Sequence, residues 1–286
     1  AKQLSSNIKI IKTDLLFPWN KLQPGLLPIF NWIFINEIHI NEKPDILISC
    51  GRKSVYFSLY CKKKFKKIIN IHIQDPKVSP KYFNYVISPN HDKLYGTNVI
   101  NSVGALHHFD NLKKTSELKL LTCIVGGDNN HYNFDANEAN KLSDKLIEIK
   151  NNNAAIKLLV ITSRRTSKSV NNILTKKLYD ISTIWIGEGK NPYQDAIQTS
   201  SYFIVTSDST SMISESAITG KPIYIYHLPL KRKSKRISNF HQEFNKLGIT
   251  RDIKNICQLE KWVYDPLNES KRIASIIKKR IIEEYI

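Results

Sequence analysis

The stretch that decides the fold reads LKLLTCIVGGDNN at residues 118–130 and KLLVITSRRT at residues 157–166. In each segment a run of apolar and β-branched residues, typical of a strand buried on both faces, ends abruptly in glycine or in hydroxyl and guanidinium groups. Between the two segments, residues 135–151 carry apolar side chains at steps of three and four, which predicts an amphipathic helix. A strand, a helix and a second strand in this order predict a parallel α/β unit.

The same alternation runs through the whole chain. Strands are predicted at residues 8–11, 45–50, 67–73, 85–88, 118–125, 157–162, 181–186, 202–206 and 222–226, and further helices at 167–179 and 268–285. We therefore predict the α/β class with two Rossmann-like domains. The first domain is expected at residues 1–115 and the second at 116–267, with the boundary in the polar stretch 110–116. Residues 268–286 are expected to form a helix that packs back toward the first domain.

The protein has 286 residues, enough for two medium-sized domains. Its 43 Lys and Arg residues against 25 Asp and Glu give a net charge of +18, which points to an anionic partner such as a phosphorylated ligand or an acidic membrane. Only 8 of the basic residues are Arg, and drift of surface positions toward Lys explains the charge as well. Neither an aromatic-basic module nor a helix-turn-helix pattern appears, so no nucleic-acid partner is expected.

The cysteine and hydropathy patterns indicate the compartment. Four cysteines form no C-x-x-C pair, which is typical of buried thiols in a reducing compartment. The longest apolar stretch, residues 26–40, is interrupted by polar residues and falls short of the roughly 20 residues that span a bilayer. Residues 1–12 lack the apolar region of a signal peptide. We expect a cytoplasmic protein, with peripheral attachment at the inner membrane as an open alternative.

The residues after each strand form the candidate site, because ligands of parallel α/β domains bind beyond the carboxyl ends of the strands. Gly126 and Gly127 let backbone N–H groups approach a phosphate, and a plain turn is the alternative. Ser163, Arg164 and Arg165 follow the next strand. Their planar guanidinium groups suit phosphate, and the alternative is a helix cap or a pair with a carboxylate.

Two further loops of the second half complete this candidate nucleotide site. Asn191 and Tyr193 combine a helix start with an aromatic ring that can lie against a base, and a capping turn is the alternative. Residues 206–215 read TSDSTSMISE, whose hydroxyl groups offer donors to a diphosphate and whose terminal acid can accept from ribose hydroxyls. A capping box alone needs one serine and one acid. The candidate nucleotide-binding residues in this run are Ser207, Asp208, Ser209, Ser211 and Glu215.

The first half supplies the candidate acid/base groups. Asp75 and His91 follow strands at the same sheet edge and are the predicted catalytic residues, with a plain turn role as the alternative for each. No spacing of His and Cys suggests a metal ligand set, so neither a metal nor another cofactor is expected. G-x-G-x-x-G and G-x-x-x-x-G-K-[ST] are both absent, which argues against a standard dinucleotide dehydrogenase and a P-loop NTPase.

Together these motifs resemble the mitochondrial-fission Elm family, bacterial and plant proteins that are treated as glycosyltransferases. The resemblance covers nearly the whole chain in order. It is carried by PD at 44–45 with GRKS at 51–54, IQDP at 73–76, PNHD at 89–92, GALH at 104–107, GG at 126–127, TSRR at 162–165, GKNPY at 189–193, TSDS at 206–209 with SE at 214–215, TGKP at 219–222, and FH at 240–241 with GITR at 248–251.

The resemblance implies a GT-B-like fold, in which two Rossmann-like domains face a cleft. It further implies that the second domain binds the donor nucleotide through Gly126, Gly127 and residues 207–215, while the first domain presents the acceptor. Family members usually begin with another strand and a glycine- and histidine-containing loop, and nothing before Ile8 matches that loop. We therefore expect this sequence to lack the strand, which leaves open a catalytic base among the missing residues.

The function expected from residues and resemblance is sugar transfer from a nucleotide-sugar donor to a cell-envelope or lipid-linked acceptor. Arg164 or Arg165 and the hydroxyl groups would neutralise the leaving diphosphate, Glu215 would hold the ribose, and His91 or Asp75 would deprotonate the acceptor. The alternative is a non-catalytic peripheral membrane or scaffold protein of the Elm type, docked on anionic lipid by the basic clusters at 62–67 and 231–236.

Overall fold

The computed structural model of the protein describes residues 1–35, 43–109 and 119–285, and the chain divides into two compact units. The first unit is Ala1–Val103 with Glu269–Ile286, and the second is Gly104–Asn268. Each unit is built around a parallel β-sheet, which confirms the predicted α/β class with two parallel sheets. The predicted boundary stretch at residues 110–116 lies outside the described residues.

The first unit has a four-stranded sheet in the order β1-β2-β3-β4, with every neighbouring pair parallel. Its strands are β1 (Ile46–Cys50), β2 (Ile69–Ile73), β3 (Tyr85–Pro89) and β4 (Val99–Ser102). Helix α1 (Arg52–Lys64) connects β1 to β2. The N-terminal segment packs on this helix, because Leu15 and Ile33 share a buried cluster with Tyr56 and Phe57 of α1.

The second unit has a six-stranded parallel sheet in the order β10-β9-β8-β5-β6-β7. Its strands are β5 (Leu120–Val125), β6 (Lys157–Thr162), β7 (Ser182–Trp185), β8 (Tyr202–Thr206), β9 (Ile223–Tyr226) and β10 (Thr250–Asp252). The chain therefore winds from β5 outward in one direction and then from β8 outward in the other, which is the doubly wound Rossmann order. The direction reverses between β5 and β8, which pair directly.

Five helices cover this second sheet. They are α2 (Ala136–Asn152), α3 (Lys168–Leu178), α4 (Tyr193–Thr199), α5 (Thr210–Ala217) and α6 (Lys235–Lys246). Four of them begin at a side chain that accepts a hydrogen bond from the N–H three residues on, namely Asp135, Ser167, Ser209 and Ser234. These capping residues explain why the helices start where they do.

The C-terminal helix α7 (Glu269–Tyr285) belongs to the first unit. The Glu269 carboxylate accepts a hydrogen bond from the N–H of Val103 at 2.8 Å, and the hydroxyl of Tyr85 in β3 donates to Glu284 at 2.9 Å. The helix is thereby fastened at both ends to the β3–β4 side of the first sheet.

The structure differs from the predicted elements in helices and in strands. Helices α1 and α6 are not among the predicted helices. The strand predicted at residues 8–11 is wrong: Ile10 is 86% exposed, and the segment pairs with no strand in the described parts of the chain. Strands β4 and β10 were not predicted, because four and three residues of mixed polarity give too short a pattern. None of the helices in the three described ranges is long and apolar enough to cross a membrane.

Candidate functional site

The carboxyl ends of β5 and β8 form the switch point of the second sheet, where doubly wound folds bind ligands. The structure brings three predicted loops together there. The N–H of Gly126 donates to Oγ1 of Thr206 at 2.8 Å, which ties the loop after β5 to the end of β8. Thr166, from the loop after β6, donates its hydroxyl to the carbonyl oxygen of Gly126 at 2.5 Å. The three loops therefore form one hydrogen-bonded assembly.

Asp208 is the central residue of this assembly. Its side chain is fully buried, and it accepts hydrogen bonds from the N–H of Gly127 at 3.1 Å and from the hydroxyl of Thr206 at 2.6 Å. Nη2 of Arg165 lies 2.7 Å from the same carboxylate. Asp208 thus receives donors from the loops after β5, β6 and β8, and it is a structural anchor whose carboxylate faces the protein.

The paired glycines are required by the closeness of this packing. A Cβ on Gly126 would lie 2.2 Å from the Asp208 carboxylate, and a Cβ on Gly127 would lie 2.2 Å from the carbonyl oxygen of Arg165. Both distances are far below van der Waals contact. The N–H groups of both glycines already have acceptors within the protein, so these two amides serve the loop assembly.

The two adjacent arginines have different environments. Arg165 pairs with Asp208 and also donates from Nη1 to the carbonyl oxygen of Gly127 at 3.3 Å. Arg164 is exposed, and its side chain makes no ion pair or hydrogen bond with any residue of the described parts of the chain. Arg164 is therefore the guanidinium that remains available to an anion.

The serine-rich run after β8 divides into inward and outward residues. Ser207 is buried: its hydroxyl accepts from the N–H of Leu228 at 3.0 Å, and its carbonyl oxygen lies 2.9 Å from Nε2 of His241. Ser209 caps α5 by accepting from the N–H of Met212 at 3.4 Å. Ser211 is exposed in the first turn of α5. The N-terminus of α5, with its partial positive charge, thus begins beside the switch point.

Glu215 lies in α5 and accepts a hydrogen bond from the hydroxyl of Tyr193. Burial raises the pKa of the Glu215 carboxyl above its ordinary value of 4.5, although the Tyr193 hydroxyl and His108 oppose this shift. Burial and the Glu215 charge together raise the pKa of Tyr193, so its phenol stays protonated and donates. Asn191 accepts from the N–H of Tyr193 at 2.9 Å and so orients the start of α4.

An aromatic group adjoins this pair. Phe109 is 4% exposed, its ring centroid lies 6.1 Å from that of Tyr193, and the ring of His108 stacks on it at 4.4 Å. The predicted residues Asn191, Tyr193 and Glu215 therefore form a second cluster, next to the aromatic residues of the 104–109 segment. That segment contains the GALH motif of the family resemblance, but none of its residues is among the candidate site residues.

The predicted acid/base residues lie in the first unit, at the ends of adjacent strands β2 and β3. Asp75 accepts from the N–H of Lys77 at 2.9 Å and from its ammonium group at 2.5 Å. Partial burial opposes ionisation, but the contacts with Lys77 prevail and lower the pKa of Asp75. His91 is buried, with Nε2 3.8 Å from a carboxylate oxygen of Asp92.

Two histidines whose pKa is lowered by burial, His72 and His241, are not among the candidate site residues, although His241 belongs to the FH motif of the family resemblance. His72 in β2 is fully buried, and its Nδ1 lies 2.8 Å from the hydroxyl of Ser49 in β1. Burial lowers the pKa of His72 to about 4, against the opposing charge of Asp75. Burial likewise lowers the pKa of His241 to about 4. For His72 the signal in the sequence was the alternation INIHI of β2, a strand in which the polar positions are buried as well as the apolar ones. Within the described ranges no group of three His, Cys, Asp or Glu residues is arranged to hold a metal ion.

Comparisons with known proteins agree with this architecture. The family model described as Mitochondrial fission ELM1 matches residues 1–281. An uncharacterised protein of Rickettsia prowazekii (strain Madrid E) is 29% identical over 282 residues, covering 82% of this chain and 79% of that protein. The mitochondrial fission protein ELM1 of Arabidopsis thaliana is 25% identical over 284 residues, covering 86% of this chain. The chain spans 66% of the length of the Arabidopsis protein.

Solved structures show the same fold in enzymes of sugar nucleotides. The UDP-GlcNAc 2-epimerase of Methanocaldococcus jannaschii matches with a TM-score of 0.53 at 13% identity, over 84% of this chain and 78% of that one. A structure of the Methanocaldococcus jannaschii epimerase in complex with UDP-GlcNAc and UDP matches with a TM-score of 0.50 at 14% identity, over 84% of this chain and 77% of that one. At these identities the likeness shows the fold, and the predicted GT-B-like class is confirmed.

Proposed function

The chain belongs to the mitochondrial fission ELM1 family, and on this basis we propose that it binds a nucleotide sugar at the switch point of its second unit and transfers the sugar to an acceptor. The observation that carries the proposal is the doubly wound strand order, whose reversal between β5 and β8 coincides with the Gly126-Gly127 loop and the start of α5. Ligands of such sheets bind at this crevice, with phosphate near a helix N-terminus.

The charges around the switch point support an anionic ligand. The carboxylate of Asp208 is balanced by Arg165 and buried, so it leaves no free negative charge at the site. Arg164 remains as an exposed cation, and the N-terminus of α5 adds partial positive charge. In this proposal Arg164 and the start of α5 hold the diphosphate, while Arg165 acts through Asp208 to fix the loops.

Glu215 is proposed to hold the ribose. Tyr193 occupies one carboxylate oxygen, which orients the group and leaves the other oxygen to accept from a sugar hydroxyl. The ring of Tyr193, which is partly exposed and lies beside the buried Phe109, offers an apolar surface for the base. The solved complex of the Methanocaldococcus epimerase makes uridine diphosphate and UDP-GlcNAc the first ligands to test.

The proposed reaction is a displacement at the anomeric carbon of the donor sugar. The acceptor oxygen forms the new glycosidic bond, the bond to the diphosphate breaks, and its electron pair leaves on the phosphate oxygen that Arg164 and the α5 dipole stabilise. The acceptor proton passes to a base, for which the chain offers Asp75 and His91. Asp75 is the more accessible of the two, since its side chain is 21% exposed, whereas the His91 side chain is 2% exposed. We propose a cell-envelope or lipid-linked acceptor.

A second candidate function is a non-catalytic protein that retains the fold. It is favoured by one specific observation: the N–H groups of Gly126 and Gly127 and the carboxylate of Asp208 are all engaged within the protein. Such a hydrogen-bonded loop assembly stabilises the fold whether or not the protein binds a ligand. Turnover of a nucleotide sugar separates the two candidates, because the scaffold would bind without releasing a nucleoside diphosphate.

Isothermal titration with UDP, GDP, ADP and UDP-GlcNAc tests the proposal. Arg164→Ala is expected to weaken binding about tenfold or more, the usual contribution of a charge-assisted contact to phosphate. Lys157→Ala is the matched control, since Lys157 is an exposed cation at the opposite end of the same strand, β6. Absence of binding to every nucleotide, or equal loss in both variants, would sink the proposal.

A further inference from the structure

The N-terminal segment at residues 16–35 exposes an unusual number of large apolar side chains. Seven of the seventeen such side chains found exposed in the described parts of the chain belong to this segment of twenty residues. They are Leu16 at 41%, Phe17 at 77%, Leu22 at 37%, Leu26 at 66%, Phe30 at 43%, Trp32 at 55% and Ile35 at 53%. Apolar side chains concentrated in this way mark an interaction surface rather than the scatter normal for a soluble protein. We call these residues the apolar patch.

The apolar patch is held in place by the fold. Leu15 and Ile33 are fully buried against α1, and the indole N–H of Trp19 donates to the carbonyl oxygen of Pro28 at 2.9 Å. The ring of Trp32 meets Trp19 edge-on at a centroid distance of 5.1 Å and stacks on Phe30 at 5.4 Å. The exposed rings therefore project from an anchored segment, and their exposure does not come from a frayed terminus.

A shallow apolar hollow of about 430 Å³ joins this segment to the end of α1. It is lined by Ile29, Leu59, Tyr60, Lys62, Lys63 and Tyr82. Ile29 precedes Phe30 of the apolar patch, and the lysines belong to the last turn of α1. The hollow thus places the apolar patch beside a cluster of cations.

Four of the five lysines at the end of α1 and directly after it are exposed to solvent. Lys62 is turned inward, since it donates to the carbonyl oxygen of Ile68 at 2.7 Å and to Asn84 at 2.6 Å. Lys63, Lys64, Lys66 and Lys67 are exposed and form no ion pair within the described residues. No Asp or Glu occurs in the sequence at residues 15–35 or 54–74. The two stretches that carry the apolar patch and the lysine cluster are therefore apolar and positive, with no acid among their own residues.

The combination fits an anionic lipid surface better than other partners. Aromatic rings prefer the membrane–water interface, and lysines beside them bind acidic headgroups. A symmetric pair of chains would bring two uncompensated lysine clusters toward each other, which like-charge repulsion disfavours. Single-stranded nucleic acid stacks on aromatic rings, but four of the seven residues of the apolar patch are aliphatic and offer no stacking face.

We propose that the apolar patch together with Lys63, Lys64, Lys66 and Lys67 is a membrane-docking surface for bilayers that contain anionic lipid. The rings and aliphatic side chains enter the headgroup boundary, and the lysines bind the acidic headgroups around them. The proposal goes beyond nucleotide-sugar binding and does not depend on it, because every residue involved lies in the first unit. It would bring the protein to a surface where lipid-linked acceptors are found.

Vesicle co-sedimentation tests this docking surface. The chain is mixed with phosphatidylcholine vesicles with and without phosphatidylglycerol, and the bound fraction is measured. We expect binding to the anionic vesicles and much weaker binding to the neutral ones. Lys63→Glu with Lys64→Glu should lower the partition coefficient by about fivefold or more for each lysine changed. Lys233→Glu with Lys235→Glu, the same change in the exposed 231–236 cluster of the second unit, should have little effect.

A second set of variants tests how much the apolar side chains contribute to vesicle binding. Phe30→Ser with Trp32→Ser, and separately Phe17→Ser with Leu26→Ser, should each weaken vesicle binding about tenfold, since each pair removes two side chains from the buried contact. Tyr179→Ser with Val263→Ser is the control, because these side chains are large, apolar and exposed at 76% and 90% but lie in the second unit. Urea unfolding of each variant shows that the fold is kept.

Fluorescence locates the contact. Brominated lipid should quench the tryptophan emission, and Trp32→Phe should remove most of that quenching. Trp19 is still present in this variant, but its side chain is buried and should be quenched little. The proposal is overturned if the patch variants bind vesicles as the parent does, or if both lysine pairs have equal effects. It is also overturned if the patch variants abolish a dimer in sedimentation velocity, or binding to single-stranded RNA, without changing vesicle binding.

Discussion

Nη2 of Arg165 lies 2.7 Å from the carboxylate of Asp208, whose side chain is fully buried although the arginine side chain is 41% exposed. A buried carboxylate is tolerable only when donors surround it, and here they come from the loops after β5, β6 and β8. The pair therefore fixes three strand ends relative to one another. The shape of the switch point depends on this one carboxylate more than on any residue that could touch a ligand.

Replacement of Asp208 should destabilise the second unit. Asp208→Ala leaves the Gly127 N–H and the Thr206 hydroxyl without their acceptor, so we expect a loss of about 2–4 kcal/mol in the free energy of unfolding. Urea denaturation measures it. Asp195→Ala is the control. Both partners of the Asp195–Lys190 ion pair are exposed, so its removal should lower the free energy of unfolding by no more than about 1 kcal/mol. Similar losses in both variants would contradict the anchoring role.

Alanine at either glycine of the loop should be poorly tolerated for a steric reason. In Gly126→Ala and Gly127→Ala the new Cβ would lie 2.2 Å from Asp208 and from the Arg165 backbone, and we expect a loss of about 3 kcal/mol or more in thermal or urea unfolding. Gly189→Ala meets no neighbouring atom and bears only the strain of its φ of +71°, about 1–2 kcal/mol. An equal cost at all three positions would show that crowding is not the cause.

The stability contributed by Glu215 should fall as pH rises. Its pKa is raised in the folded protein by burial, so folding favours the protonated carboxyl, and this contribution is complete below 4.5 and disappears as pH passes the folded pKa. Glu215→Gln keeps an acceptor for Tyr193 and cannot ionise. We therefore expect the variant to gain stability relative to the parent between pH 4.5 and pH 7 in urea unfolding. A difference independent of pH would contradict the shift.

His72 and His241 should have the opposite pH dependence. Burial lowers the pKa of each imidazole to about 4, so folding favours the neutral ring. The stability that each neutral ring adds to the folded protein is fully present above pH 6.5, the ordinary pKa of histidine. It is lost as pH falls from 6.5 toward 4. Each ring contributes a slope of up to about 1.4 kcal/mol per pH unit in that window.

Single variants assign the two contributions. His72→Asn and His241→Asn should each flatten the decline in unfolding free energy between pH 6.5 and pH 4, and NMR titration of the parent should show both rings neutral at pH 5. His227→Asn is the control for His72, since the His227 side chain is about half exposed. It is not a control for His241, whose ring lies 5.6 Å from that of His227. If either variant kept the full decline of unfolding free energy with falling pH, a group other than that histidine would be its cause.

Local pattern was sufficient to predict eight of the ten strands in the described residues and the three helices α2, α3 and α7, because their signals lie within a few residues. The strand at Lys157–Thr162 follows from its apolar run, and the start of α2 follows from Asp135 and its hydrogen bond to Glu138 three residues later. The same information failed at residues 8–11, where an apolar alternation has no adjacent strand to pair with. It also left the exposure of Phe30 and Trp32 undetermined, since an apolar residue in a sequence carries no sign of what covers it.

By itself the sequence determined the α/β class, the family and the loops that carry polar groups at strand ends. Only the tertiary structure decided which of these groups meet. Arg165 and Asp208 are distant in sequence and touch because β6, β5 and β8 are neighbours in the sheet, an order that no local pattern encodes. The separation of the adjacent Arg164 and Arg165 into an available cation and a structural one has the same cause, because hydrogen bonding between loops depends on which strands lie side by side.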